Sequence, residues 1–433
     1  MFASLGALLA AFKLPDLRRR LLFVIGAFAV FVAGLHIPAA HIDKDAMDNL
    51  MQQGGNLLGL FNVFSGGAFK KFSIFAMGIM PYINASIIFQ LLTIASVRVQ
   101  QWVREGEAGR RKISQYTRYL TMVLGMVQAW GTLLVLYRSQ IIHFGHWVEM
   151  IPVAISLTAG TAFLMWLGEQ ITDKGIGNGV SLIIFAGIAA GLPPDISLTW
   201  TYLRQGVHQW YNVLFLVAIF VATIMGIIYV QQGQRKIPIQ HAKRVIGQRI
   251  YGGTSTYLPL RVNTAGVIPI IFAISVSLFP STIVQFVTQM LPRSWEEPVT
   301  NFVQASGPGG SVWGSAIYFL LVIFFTYFYT AVTFNVPEVA DNMKKSGSYI
   351  PGIRPGKPTQ EYLDRVMTRI TFAGALFLGV IALMQYYVRD ITGVQTFYLV
   401  GGTSLLIVVG VALETMQQLE AHLVMRHYEG FIK

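Results

Sequence analysis

Few residues in this 433-residue chain are arranged to do chemistry unaided. His143 and His146 form a His-x-x-His with no third ligand nearby, and His422 and His427 stand near the C-terminus. There is no His-Glu-x-x-His, no Gly-x-Ser-x-Gly and no P-loop, so metal-assisted hydrolysis, acyl transfer and nucleotide hydrolysis lack their usual frames. The chain has no cysteine, which excludes disulfides, thiolate catalysis and Cys-based metal sites. Glu169, Asp173, Glu414 and Glu420 fall at or near the ends of apolar runs. An ion-coupled carrier usually needs ionisable groups near the bilayer midplane. These residues imply no enzyme, cofactor or metal, and any energy must come from a partner.

The stretch from Lys344 to Arg369 is basic and punctuated by Gly and Pro, and the wider loop from Pro337 to Arg369 carries six basic and four acidic residues. A second loop, 231–263, holds Arg235, Lys236, Lys243, Arg244, Arg249 and Arg261 with no acidic residue. Both exceed the length needed to join neighbouring helices. Two readings stand: a solvated surface that sets topology, or a docking platform for something large or acidic.

The elements around these loops are membrane spans. Hydrophobic residues make up 54% of the chain and charged residues 12%, about half the soluble average of roughly 25%, with mean hydropathy +0.55. Ten apolar runs approach the roughly 20 residues needed to cross a bilayer: about 21–40, 73–96, 119–137, 150–171, 178–194, 210–231, 264–286, 312–335, 369–388 and 394–416. With the N-terminus in the cytoplasm, 25 of the 32 Lys and Arg residues fall on the cytoplasmic side. Such a split is the positive-inside pattern, so the +12 net charge encodes orientation rather than DNA binding, and both termini are cytoplasmic. Leu5, Leu8, Leu9 and Phe12 form an apolar stripe before Arg18-Arg19-Arg20, read as an interfacial helix ahead of a retained first span. Five spans before the middle and five after imply an inverted repeat, with halves 1–195 and 196–433 and a seam at Leu192–Arg204, marked by Pro193-Pro194. The expected fold is an all-α membrane protein of ten spans.

Leu57, Leu58, Leu60, Phe61, Val63 and Phe64, followed by Gly66 and Gly67, lie between the first two spans. Eight helical residues cover about 12 Å, too short to span. The segment reads either as an interfacial loop helix or as a re-entrant segment with a glycine hinge. In the second span Pro81 frees a carbonyl, while Asn84, Ser86 and Gln90 place polar groups at membrane depth. Ile83 and Ile87 share a helix face, as do Ile184 and Ile188.

Five motifs, taken in order, resemble the SecY family, the central subunit of the protein-translocation channel. They are Met80-Pro-Tyr-Ile-Asn-Ala-Ser-Ile87, the run from Gly175-Ile-Gly-Asn-Gly to Pro193, Ser255-Thr-Tyr-Leu-Pro through Pro269, Ala340 through Gly356, and Gly401-Gly-Thr-Ser-Leu-Leu-Ile407. The resemblance spans essentially the whole chain. It implies two inverted five-helix halves around a central hourglass pore, closed by a collar of Ile83, Ile87, Ile184, Ile188, Ile271 and Ile407. It also implies a plug at 57–67, and a lateral gate between the second and third spans and the seventh and eighth. Ser86, Gln90, Gln128 and Asn263 would be polar contacts at that gate. Arg354 would couple the channel to the motor ATPase SecA and the ribosome, with Arg244, Arg249, Lys344, Lys345 and Lys357 on the same platform. SecE and SecG would be membrane partners, signal-bearing preproteins the substrates, and lipid the destination of apolar segments. Two small departures are His241, where the family commonly has tyrosine, and a short tail after Glu420. The main rival is an ion-coupled secondary transporter with inverted repeats, and an intramembrane enzyme stands behind it.

Overall fold

The computed structural model describes residues 12–39, 65–138, 147–241, 244–246, 249–251, 255–287, 298, 302, 305–394 and 402–429. In chain order the helices are α1 (Pro15–Gly34), α2 (Met80–Ala95), α3 (Val97–Arg104), α4 (Glu107–Arg138), α5 (Met150–Lys174), α6 (Gly179–Arg204) and α7 (Trp210–Gln232). Four strands follow: β1 (Gln234–His241), β2 (Arg244–Ile246), β3 (Arg249–Tyr251) and β4 (Ser255–Arg261). Then come α8 (Ile268–Val287), α9 (Val312–Thr333), α10 (Val336–Lys345), β5 (Ser348–Tyr349), α11 (Lys357–Thr392) and α12 (Thr403–Glu429).

Local chemistry sets several of these starts. Proline occupies the first turn of α1, α2 and α10, where its missing N–H costs nothing. Asn178 caps α6, its Oδ1 accepting the N–H groups of Val180 and Ser181 at 3.1 and 3.2 Å. Ser311 caps α9 through the N–H of Gly314.

Each of the ten apolar runs carries a helix. By length and apolarity, six helices among the described residues could cross a membrane, or seven if Met80–Thr93 and Val97–Arg104, bent by 95°, are taken as one span. Helices α1 and α4 mix charge with apolar surface, through Arg18-Arg19-Arg20 in one and the stretch from Glu107 to Arg118 in the other.

The helix contacts repeat. In the first half α2 packs on α4 and α5, α4 on α5, α5 on α6, and α1 on both α5 and α6. In the second, α8 packs on α9 and α11, α9 on α11, α11 on α12, and α7 on both α11 and α12. Counted by span, every pair in the first half has its counterpart in the second. The halves meet where α6 packs on α12, and where α2 and α4 pack on α8.

Three outcomes differ from the sequence expectation. The seam at Leu192–Arg204 is helical, because α6 runs through Pro193-Pro194 to Arg204. The long basic loop is mostly ordered structure: α10 takes its first part and α11 begins at Lys357, twelve residues before the apolar run at 369. The chain is also not purely helical, since β1 pairs antiparallel with β4 and β5 to make a three-stranded sheet, and β2 pairs with β3. Ile237 and Ile239 of β1 turn inward and their neighbours outward, the two-residue alternation of a half-buried strand.

Candidate functional site

The centre of the bundle is a single apolar cluster fed by both halves. Ile83 and Ile87 come from α2, Ile184 and Ile188 from α6, Ile407 from α12 and Ile271 from α8. The first five are buried and Ile271 is half-buried against the same cluster. All six isoleucines named from the sequence belong to or pack against this one cluster, together with many other apolar residues of both halves. Branched aliphatic side chains offer no hydrogen bond to water or to a passing chain. A narrow collar of them can exclude water by dewetting.

A cavity of about 410 Å³ opens beside this cluster. Its lining is mixed, with Ile83, Ile184, Ile271 and Phe272 apolar and Arg118, Glu169 and Asp173 charged. Arg118 on α4 donates from Nε to Glu169 Oε1 on α5 at 2.7 Å. Ser86 and Gln90 line the same cavity, whereas Gln128 and Asn263 do not. Asn263 is buried and donates to the carbonyl of Gly266, a local turn contact. Gln128 has a buried Oε1 with no hydrogen-bond partner among the described residues.

Beside the same cluster, Gly66 lies against the backbone of Gly187, which falls between Ile184 and Ile188 on α6. Gly66 and Gly67 have φ of +70° and +81°, a region that favours glycine. The buried Ser65 hydroxyl accepts the N–H of Phe69 and fixes the turn that follows. Leu57, Leu58, Leu60, Phe61, Val63 and Phe64 lie outside the described residues, as do His143 and His146.

A third feature is the sheet-based platform. Ile237, Ile239, Leu260, Met343, Ile350, Leu363 and Met367 share a small core that joins the two basic loops into one body. Lys344, Lys345, Arg354 and Lys357 are exposed on it, with Arg354 held between Gly352 and Gly356, both at positive φ. Arg244 and Arg249 fall in β2 and β3. His241 ties the loops: its Nδ1 is hydrogen-bonded to Ser348 Oγ at 2.8 Å and its Nε2 to Thr256 Oγ1 at 3.2 Å. Sequence reasoning noticed His241 only as a departure, and missed the Arg118–Glu169 pair and Gly187 altogether. Among the described residues no group of His, Asp and Glu could hold a metal ion.

Comparison with solved structures places this arrangement in a known class. A structure described as a protein-conducting channel matches with TM-score 0.65 and 16% identity, over 93% of this chain and 92% of that one. A SecY structure, reported to show that its plug domain stabilises the closed state and maintains a membrane seal, matches at TM-score 0.63 and 17% identity over the same shares. Sec61 from the canine ribosome–channel complex matches at 0.62 and 16%, again over 93% and 92%. The fold is that of the protein-conducting channels of membranes. A family profile for SecY matches residues 73–416. The protein translocase subunit SecY of Halalkalibacterium halodurans is 47% identical over 98% of each chain. That of Escherichia coli K12 is 48% identical, over 97% of this chain and 95% of its own. The chain belongs to the SecY family. It is a multi-pass membrane protein and a protein-conducting translocation channel, not an enzyme.

Proposed function

We propose that this channel is closed at rest by the isoleucine collar and by the segment ending at Gly66-Gly67, and that it opens in two directions. Along the pore axis it passes unfolded polypeptide. Sideways, between α2 and α4 on one half and α8 and α9 on the other, it releases apolar segments to lipid. The observation that carries this reading is the convergence of the six isoleucines on one cluster that borders an open cavity. The meeting of the halves at α2, α4 and α8 supports the position of the gate, and the repeated helix contacts support an inverted repeat with halves 1–195 and 196–433. Lateral release is then a partition equilibrium, favourable for Leu and Ile and costing about 2.5–3.5 kcal/mol for a central Lys or Arg.

The basic platform faces the cytoplasm in this reading, as do both termini. Arg354, with Arg244, Arg249, Lys344, Lys345 and Lys357, would receive the SecA motor and the ribosome. The ribosome-bound state of the Sec61 relative makes the second partner a natural one. SecE and SecG would complete the complex in the cytoplasmic membrane.

The test is ATP-driven import of a signal-bearing preprotein into vesicles holding this chain with SecE and SecG, SecA being supplied, with Arg354→Glu in parallel. Import by the parent and loss in the variant is the expected result. Equal import by both would remove Arg354 from the docking site. No import by an assembled complex with active motor would overturn the partner assignment.

A further inference from the structure

Two helices of the second half share a buried polar pair that neither the collar nor the gate uses. Gln385 lies on α11 inside the apolar run 369–388, and Thr403 is the first residue of α12. They are 7% and 0% exposed, and Thr403 Oγ1 donates to Gln385 Oε1 at 2.7 Å. One turn back along α11 the helices touch again. Gly402 holds φ at +54°, and a Cβ placed on it would collide with the carbonyl oxygen of Ile381. Ile381 and Gln385 are four apart and share a face of α11. The start of α12 is therefore seated on α11 at two points, one made by backbone and one by side chains.

The pair is only half satisfied. Gln385 Nε2 is buried with no hydrogen-bond partner among the described residues, a state that costs stability. Apolar side chains of the same size would pack these helices without that cost, but apolar contact is non-directional and leaves rotation and height free. A hydrogen bond demands alignment. Ile407 lies one turn beyond Thr403 on the same face of α12, buried in the central cluster. Helix α12 also packs on α6, which carries Ile184 and Ile188. A slide or rotation of α12 would move Ile407 relative to both. We propose that Gln385 is a positioning residue: through Thr403 it indexes α12 on α11 and so fixes the place of Ile407 in the closed collar. It acts through α12 and not by contact with a translocating chain. This inference rests on the collar reading above.

The experiment pairs single-channel recording of the resting complex in planar bilayers with thermal unfolding of the same complex. Thr403→Val keeps the side-chain shape and removes the hydroxyl, and Gln385→Met keeps the length and removes the amide. Each should raise the resting open probability about three- to tenfold, the range set by one hydrogen bond between membrane helices. Thr403→Ser restores the hydroxyl and should match the parent. The double variant Gln385→Met, Thr403→Val leaves no orphaned polar group at the pair. Its thermal stability should equal or exceed the parent's, while its open probability stays as high as in the single variants. Ser315→Ala deletes the bond that Tyr387 donates from α11 to α9 at 3.1 Å, which involves no residue of α12, and should not leak.

A parent-like open probability in the assembled double variant would overturn the proposal, whether or not the single variants assemble. So would an equal leak from Ser315→Ala, which would report a general loosening of the half and no special role for α12. A leak that appears only where thermal stability falls would count the same way. Ile184→Asn is recorded alongside. If it leaks and the Gln385 and Thr403 variants do not, only this inference fails. If it too leaves the conductance unchanged, the collar reading fails first and takes the positioning role with it.

Discussion

Gly66 and Gly187 meet backbone to backbone: a Cβ placed on Gly66 would lie 2.7 Å from the Gly187 Cα and 3.0 Å from its carbonyl oxygen. The reverse is not true. A Cβ on Gly187 would lie 3.4 Å from Gly66 Cα, an ordinary contact. Gly66 is therefore the intolerant partner, for it also holds φ at +70°, a conformation that costs other L-residues about 1–2 kcal/mol.

Gly66→Ala should push the following turn away from α6 and raise the resting ion conductance of reconstituted channels, with the complex still assembling. Gly187→Ala should leak less than Gly66→Ala. Single-channel recording in planar bilayers decides it. Equal, parent-like conductance in both would mean that this contact does not contribute to the seal.

A polar atom in the collar should wet it. Ile184 is buried in the central cluster and also lines the cavity. Ile184→Asn should raise resting conductance, while Ile184→Leu, which conserves volume and costs under about 1.5 kcal/mol of stability, should stay near the parent. Conductance that follows side-chain volume instead of polarity would argue for a steric seal.

The helices beneath the ten apolar runs were legible because hydropathy reports the most apolar part of a helix. It does not report where the helix ends. For that reason the start of α11 at Lys357 and the extension of α6 to Arg204 were missed. The strands left a signal that the length of the loop obscured: Lys236-Ile-Pro-Ile-Gln240 alternates with period two, and so does Tyr257-Leu-Pro-Leu-Arg261. The six isoleucines were named through motif resemblance, since spacing alone cannot separate them from other isoleucines in a membrane protein. Gly66 against Gly187 and Arg118 against Glu169 join positions far apart in the chain, and no local pattern encodes such pairs.

The exposed cations of the platform should act on docking and not on folding. Arg354 and Lys357 are exposed and neither forms an ion pair among the described residues. Arg354→Glu and Lys357→Glu should leave thermal stability within about 0.5 kcal/mol of the parent. Their binding to ribosomes should weaken, and should fall less steeply with salt as a phosphate contact is lost. Co-sedimentation at several ionic strengths gives both the affinity and the slope. A matching loss of stability would mean that the residues hold the platform together.

His241 gives the platform its continuity, and its replacement should separate the two loops without melting the bundle. Both ring nitrogens are used, one on Ser348 of β5 and the other on Thr256 of β4, and Ser348 is buried and also bonded to Ser346. A neutral imidazole has one donor and one acceptor nitrogen, and hydroxyls can serve either. His241→Phe keeps an aromatic ring and removes both bonds. The exposed Thr256 can turn to water and the buried Ser348 keeps Ser346, so the loss is that of an ordinary hydrogen bond, about 0.5–1.5 kcal/mol. That cost falls on a strand pair only two residues long, Gln240 with Tyr349 and His241 with Ser348. Amide exchange at Ser348 and Ile350 should therefore accelerate while exchange in α9 and α11 stays slow. Arg354 would then sit on a loop no longer registered to β1, and ribosome affinity should fall although every basic residue remains. If exchange accelerates and affinity holds, the two loops bind independently and the platform is not one surface.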